Sequence, residues 1–192
     1  MNTKLKGTVY SKDTVEFTTV AVQYCFLLES FEEASMNDLT DKLLKILPLL
    51  YLKASLVPAA DMETDDEQEV TVTEENYDYI LHRLYAVFGK DDIYLEVFMQ
   101  DMKYSETPIS ASVSEDLTDI YQDLKNYITI YERGIEENMN DALVICTDNF
   151  KAYWGQKLVN VMRALHQLKY SFADEYGNYP GEEEDNEMEE IW

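Results

Sequence analysis

A chain of 192 residues with 46% hydrophobic residues, six glycines and four prolines has the composition of one globular domain, which excludes collagen-like and broadly disordered classes. Its formal net charge of −24 is uneven: residues 61–75 hold eight acids and residues 173–192 nine, with no Lys or Arg in either, leaving 22 acids against 15 basic residues elsewhere, a net −7. A body so balanced lacks the Lys/Arg stripe that binds nucleic acid through counterion release and the polybasic cluster that meets anionic lipid, so neither nucleic acid nor membrane is an expected partner.

The segment Met1–Gly7 is followed by no apolar run of signal-peptide length, so secretion is not expected. A first helix is expected from Asp13 to Glu33, because Phe17, Val20, Ala21, Tyr24, Leu27, Leu28 and Phe31 recur at the spacing of one helical face. A second, from Asn37 to Leu56, repeats the pattern through Leu39, Leu43, Leu47 and Leu50, with Ser35 or Asn37 as its cap and Pro48 expected to bend or divide it. Its most apolar window, Leu43–Leu52, is broken by Lys45 and Pro48 and falls short of the roughly 20 residues a membrane span needs.

The acidic segment 61–75 is expected as a solvated loop, ended by Thr73 as the cap of a helix Glu74–Phe88 that Gly89 closes. Residues 90–111 are expected to be mostly irregular: Ile93, Leu95 and Val97 alternate like a strand, whereas Tyr94, Val97 and Phe98 fit one helical turn. Ser114 is the expected cap of the next helix and Gly134 its stop; the last long element runs from Glu136 to Phe172, with Gly155 as a candidate break into two helices. The fold class is therefore all-α, a bundle of about five to seven helices within one domain, 1–172, carrying an acidic, flexible tail, 173–192.

No phosphate-binding glycine loop, nucleophile elbow, HExxH pair, CxxC pair or glycosylation sequon occurs. Cys25 and Cys146, far apart in apolar helical patterns, are expected as buried free thiols of a reducing compartment, hence a cytoplasmic protein. Two histidines and no Glu-x-x-His arrangement imply no metal and no cofactor; the nearest approach, Asp78 with His82, fits a rim histidine. Asp116, Asp119 and Asp123 share a stripe about 60° wide, the usual pattern of a solvated face.

On the last helix Gln156, Asn160, Arg163, Gln167 and Tyr170 form a polar ridge with His166 beside it. Three readings stand: a solvated ridge, a buried network in which Arg163 reaches one of the three aspartates, or a ligand site where His166 moves protons and Arg163 holds an anion. Met188–Trp192 mixes acids and apolar residues, as either a docking motif or a frayed end.

The stretches Leu47-Pro48-Leu49-Leu50-Tyr51-Leu52-Lys53-Ala54, Tyr94-Leu95-Glu96-Val97-Phe98, Ser112–Leu117, Asp119–Lys125, Tyr153–Asn160 and Arg163–His166 resemble a bacterial family of uncharacterised all-helical proteins, a domain of unknown function, over residues 13–172. The resemblance implies a cytosolic helical domain and supplies no activity or site residue. The expected function is a non-enzymatic interaction or accessory role with a protein partner; the alternative is an enzyme or small-molecule-binding domain using the ridge.

Overall fold

The computed structural model describes residues 5–31, 35–64, 69–95 and 109–175, with side chains described from 7 to 170. Most of the acidic tail and residues 96–108 of the expected irregular stretch lie outside them. The elements run α1 (Leu5–Val9), α2 (Lys12–Ser30), α3 (Met36–Leu56), α4 (Glu74–Phe88), a 3-10 turn (Gly89–Asp91), β1 (Ile93–Leu95), β2 (Ser110–Ser112), α5 (Val113–Glu132), α6 (Glu136–Asn149), a π-helical turn (Phe150–Trp154) and α7 (Gly155–Glu175). Among the described residues the fold is all-α apart from one antiparallel pair, in which Ile93, Tyr94 and Leu95 face Ser112, Ala111 and Ser110. None of the described helices is long and apolar enough to cross a membrane.

Local chemistry explains most boundaries. Ser11, Ser35 and Thr73 each accept a hydrogen bond from the backbone N–H three residues on, satisfying a donor the helix start leaves free. Ser112, two residues before the expected Ser114, does the same for α5. Ser114 instead sits inside the first turn, where its N–H and hydroxyl donate to the buried Asp92 carboxylate at 2.8 and 3.0 Å, joined by the Ser112 hydroxyl at 2.6 Å. Gly89 and Gly134 end α4 and α5 with φ of 50° and 72°, a region that side chains avoid. Pro48 does not divide α3, which continues through it. The five residues of α1 are too few to show a period, and tertiary contacts hold them: Val9 is buried, and its carbonyl accepts from the Tyr131 hydroxyl at 2.7 Å.

Helix α5 is the axis. It packs against α2, α4, α6 and α7, while α3 closes the far side by contacting α2 and α7. Phe17, Leu28, Leu47, Leu84, Leu124, Trp154 and Leu165 fill one continuous core between them. Tyrosines enter it with their hydroxyls satisfied: Tyr24 donates to the Leu117 carbonyl at 2.8 Å, and the Tyr127 and Thr18 hydroxyls pair at 2.6 Å. Cys25 and Cys146 are buried and free, and burial pushes both thiols up.

The acids Asp61, Glu63 and Glu69 of the acidic loop are exposed, as expected of a solvated segment, but the loop is also tied down. Asp141 of α6 accepts from the Glu63 and Thr64 N–H groups at 2.7 and 2.9 Å, from the Thr64 hydroxyl at 2.7 Å and from Asn140 at 3.1 Å. Asn126 of α5 accepts from the N–H groups of Thr71 and Val72 at 2.8 and 2.9 Å and from the Thr71 hydroxyl at 3.0 Å, and Glu69 pairs with Arg133 at 2.5 Å. Both flanks of the loop are therefore strapped to the bundle. Burial opposes the Asp141 charge, but its donors outweigh burial and hold the carboxyl below its ordinary range. With the folded value below the unfolded value of about 3.9, the stabilisation is complete above that pH and is lost as pH falls through the folded value. Asp141→Asn is expected to cost about 1–3 kcal/mol at neutral pH, with the gap from wild type closing below about pH 4 in parallel urea melts.

The expected break into two helices comes at Gly155 and takes the form of a π turn, with α6 ending at Asn149 and α7 starting at Gly155. The Gly155 N–H donates to the Phe150 carbonyl five residues back, and a Cβ on Gly155 would stand 2.3 Å from that oxygen and 2.8 Å from the Phe150 ring. Glycine to alanine inside a helix usually stabilises by about 1 kcal/mol. Gly155→Ala is expected to reverse that sign and destabilise by about 1–3 kcal/mol in a denaturant melt, because backbone must move to admit the methyl group.

Candidate functional site

Asp116 and Asp119 of α5 meet α7 at the end of the bundle that carries β1. Asp116, one turn into α5, is 1% exposed, which overturns the solvated-face reading for it. Its partner is not Arg163 but Lys157, whose Nζ lies 2.7 Å from Asp116 Oδ1 and 3.0 Å from Asp119 Oδ2. Three tyrosines complete the shell. Tyr94 of β1 donates to Asp116 Oδ2, Tyr77 of α4 to Asp119 Oδ1 at 2.7 Å, and Tyr153 of the π turn to Asp119 Oδ2 at 2.7 Å. The Lys157 ammonium also lies 5.2 Å from the Tyr153 ring centroid.

This arrangement joins α4, β1, α5, the π turn and α7 through one cation and two carboxylates. Burial works against the Lys157 charge, but hydrogen bonds to Asp116 and Asp119 prevail and raise its pKa. Burial and the bond to Asp119 push Tyr153 up to about 12 and raise Tyr77 as well. Lys157 therefore stays an ammonium and the two tyrosines stay donors at neutral pH. A lysine held protonated is no nucleophile and no base, so the chemistry of the cluster is charge pairing.

The other predicted residues do not join it. Asp123 lies at a separate cleft and accepts from Asn149 at 2.6 Å. Gln156 is exposed and donates to the buried Asn160 at 3.1 Å. Arg163 is exposed and donates to the Leu95 carbonyl at 2.7 Å, tying β1 to α7. His166, also exposed, packs against Tyr170 with ring centroids 4.6 Å apart. His82 bonds to the backbone carbonyl of Asp78, not its carboxylate. The ridge is thus several local contacts. Among the described residues no group of three or more His, Cys, Asp or Glu side chains is placed to hold a metal ion.

Sequence reasoning missed Lys157, Tyr77, Tyr94 and Tyr153. The available signal was Lys157 itself, a lone cation in register with Val161, Ala164 and Leu168 on a largely buried face.

The sequence model of a family described as a domain of unknown function, DUF5063, matches residues 8–171. The chain belongs to this family. It is similar to the crystal structure of protein BF1032 from Bacteroides fragilis, at 45% identity and a TM-score of 0.77, over 85% of this chain and 96% of that one. No curated protein matches. This relative thus shares the fold, and the family's description names no activity.

Lys157→Met leaves Asp116 buried without its cation and is expected to cost about 3 kcal/mol in a denaturant melt. Lys157→Met combined with Asp116→Asn and Asp119→Asn is expected to recover part of that loss, because the uncompensated charges leave with their partner.

Proposed function

We propose that this protein is a non-enzymatic cytoplasmic interaction protein whose outer α2 face receives an amphipathic helix of a protein partner. The observation that carries this reading is an apolar stripe left uncovered on α2. Val15, Thr19, Val22 and Phe26 recur at intervals of 4, 3 and 4 residues, with Val15 46% and Phe26 61% exposed. Beside them Val15, Thr18, Thr19, Val22, Gln23 and Tyr131 line a groove of about 250 Å³. Exposed apolar surface next to a groove is the arrangement that accepts anchors at i, i+3/i+4 and i+7 of a partner helix.

The two free, buried thiols support a reducing compartment. Arg163 and His166, which an enzyme reading would need in a concave pocket, stand exposed, and the charged cluster beside them is closed by its own lysine and tyrosines. That ridge gives an enzyme reading no argument.

Val15→Lys with Phe26→Lys places two charges on the stripe without touching the core. Affinity capture quantified against wild type is expected to lose at least one wild-type partner, while the thermal melt stays within a few degrees. Recovery of the same partners in the same amounts by the variant sinks the reading.

A further inference from the structure

We propose that the cleft between residues 69–70, α5 and the end of α6 binds a small organic cation, a guanidinium or primary ammonium group, with Asp123 as its anionic anchor. The cleft measures about 180 Å³ and is lined by Glu69, Val70, Asp123, Asn126, Cys146 and Asn149, with Ile145 at its wall. A cavity of roughly 150 Å³ takes a molecule the size of benzene, so this one takes a head group of that order.

Asp123 is the carboxylate whose charge the protein leaves unanswered. The buried carboxylates of the described residues are matched: Asp116 meets Lys157, Asp141 accepts four hydrogen bonds, and Asp92 accepts three on its carboxylate. Asp123 has one neutral donor, Asn149 Nδ2 on its Oδ1, and no Lys, Arg or His among the described residues pairs with it. Oδ2 carries no hydrogen bond from those residues. Burial raises its pKa, Asn149 offsets this only in part, and neighbouring Asp119 adds to it. Asp123 is half-buried at the cleft, and a carboxylate that no protein cation pairs there is open to a counterion from solution.

The surroundings select the class of partner. Glu69 across the cleft is already met by the Arg133 guanidinium through both carboxylate oxygens, at 2.5 and 2.9 Å, so it neither competes with Asp123 nor offers a free cation to an anion. The Asn126 oxygen is taken by three donors, and no three-ligand metal group exists among the described residues. What remains is a carboxylate oxygen and the Asn149 amide oxygen, acceptors suited to N–H donors that bring positive charge. This inference concerns a different face from the α2 stripe and does not depend on it.

The test uses the full chain and isothermal titration with agmatine, putrescine and ethanolamine, with an acetyl-Gly-Arg-Gly-amide peptide as the arm that separates a side-chain source from a free metabolite. At least one of these is expected to bind, and Asp123→Asn to weaken it about tenfold or more, as loss of one charge-assisted hydrogen bond predicts. Without ligand, Asp123→Asn is expected to melt no lower than wild type, because an unpaired charge has gone. In wild type, amide NMR shifts at residues 69–72, 123–126 and 145–149 are expected to track the titration whether or not the variant folds. No binding by any of the four probes, shifts confined to other residues, unchanged affinity in Asp123→Asn, or the same shifts with Mg²⁺ or Ca²⁺ alone each overturns the proposal.

Discussion

A helix packed on four sides has little solvated face, so most of the polar groups it carries are answered from within the protein. Helix α5 is in that position, between α2, α4, α6 and α7. Its polar side chains consequently act as connectors. Asp116 and Asp119 take hold of α7 through Lys157, Asn126 holds the strand of loop at Thr71 and Val72, and Tyr127 reaches Thr18 of α2. Ser114 is bound to Asp92, and the Asp92 carbonyl accepts the Val113 N–H at 2.8 Å, which anchors the short sheet to the helix start. Each link adds only modest net stability when made, but a partner left behind in the interior is expensive. That asymmetry makes one arrangement of neighbours preferable to near-isoenergetic packings of the same apolar faces.

The π turn serves the same constraint. One residue beyond the α-helical count rotates the side chains of α7 by about 100° relative to those of α6. Through that offset the apolar face of α6 continues into Trp154 and Leu158, while Lys157 arrives at Asp116 and Tyr153 at Asp119. Trp154 strengthens the turn by donating its indole N–H to the Cys146 carbonyl at 3.0 Å. Phe150 packs against Trp154 and against Tyr51 of α3, so the irregular turn is braced on both sides. A strict α-helix across residues 136–175 would satisfy the backbone equally and misdirect the lysine.

Apolar periodicity made the long helices legible, because burial of one face is what builds them, and Thr73, Ser35, Gly89 and Gly134 marked ends by local geometry. What escaped was tertiary. Ser114 and Ser112 are both good caps by type, and only the position of Asp92 decides between them. Asp116 and Asp141 look like solvent-facing acids until the lysine and the loop amides that surround them are known. Arg163 was the more conspicuous cation, but its planar group reaches a backbone carbonyl of β1, and the pairing falls to Lys157 near the π turn. The strand pairing of residues 93–95 with 110–112 joins segments more than a dozen residues apart, a relation no local pattern contains.

The two thiols give the molecule a built-in clock. Cys25 sits in α2 under the core, whereas Cys146 forms part of the wall of the Asp123 cleft; both are sealed from solvent and kept protonated by burial. An alkylating reagent therefore reacts only when the protein opens, at a rate set by the opening equilibrium and by the small thiolate fraction. Because the two sulfurs lie in different helices, their separate labelling rates distinguish a breathing motion of the cleft from unfolding of the whole bundle. No added probe is required, and the native residues report which part of the structure yields first.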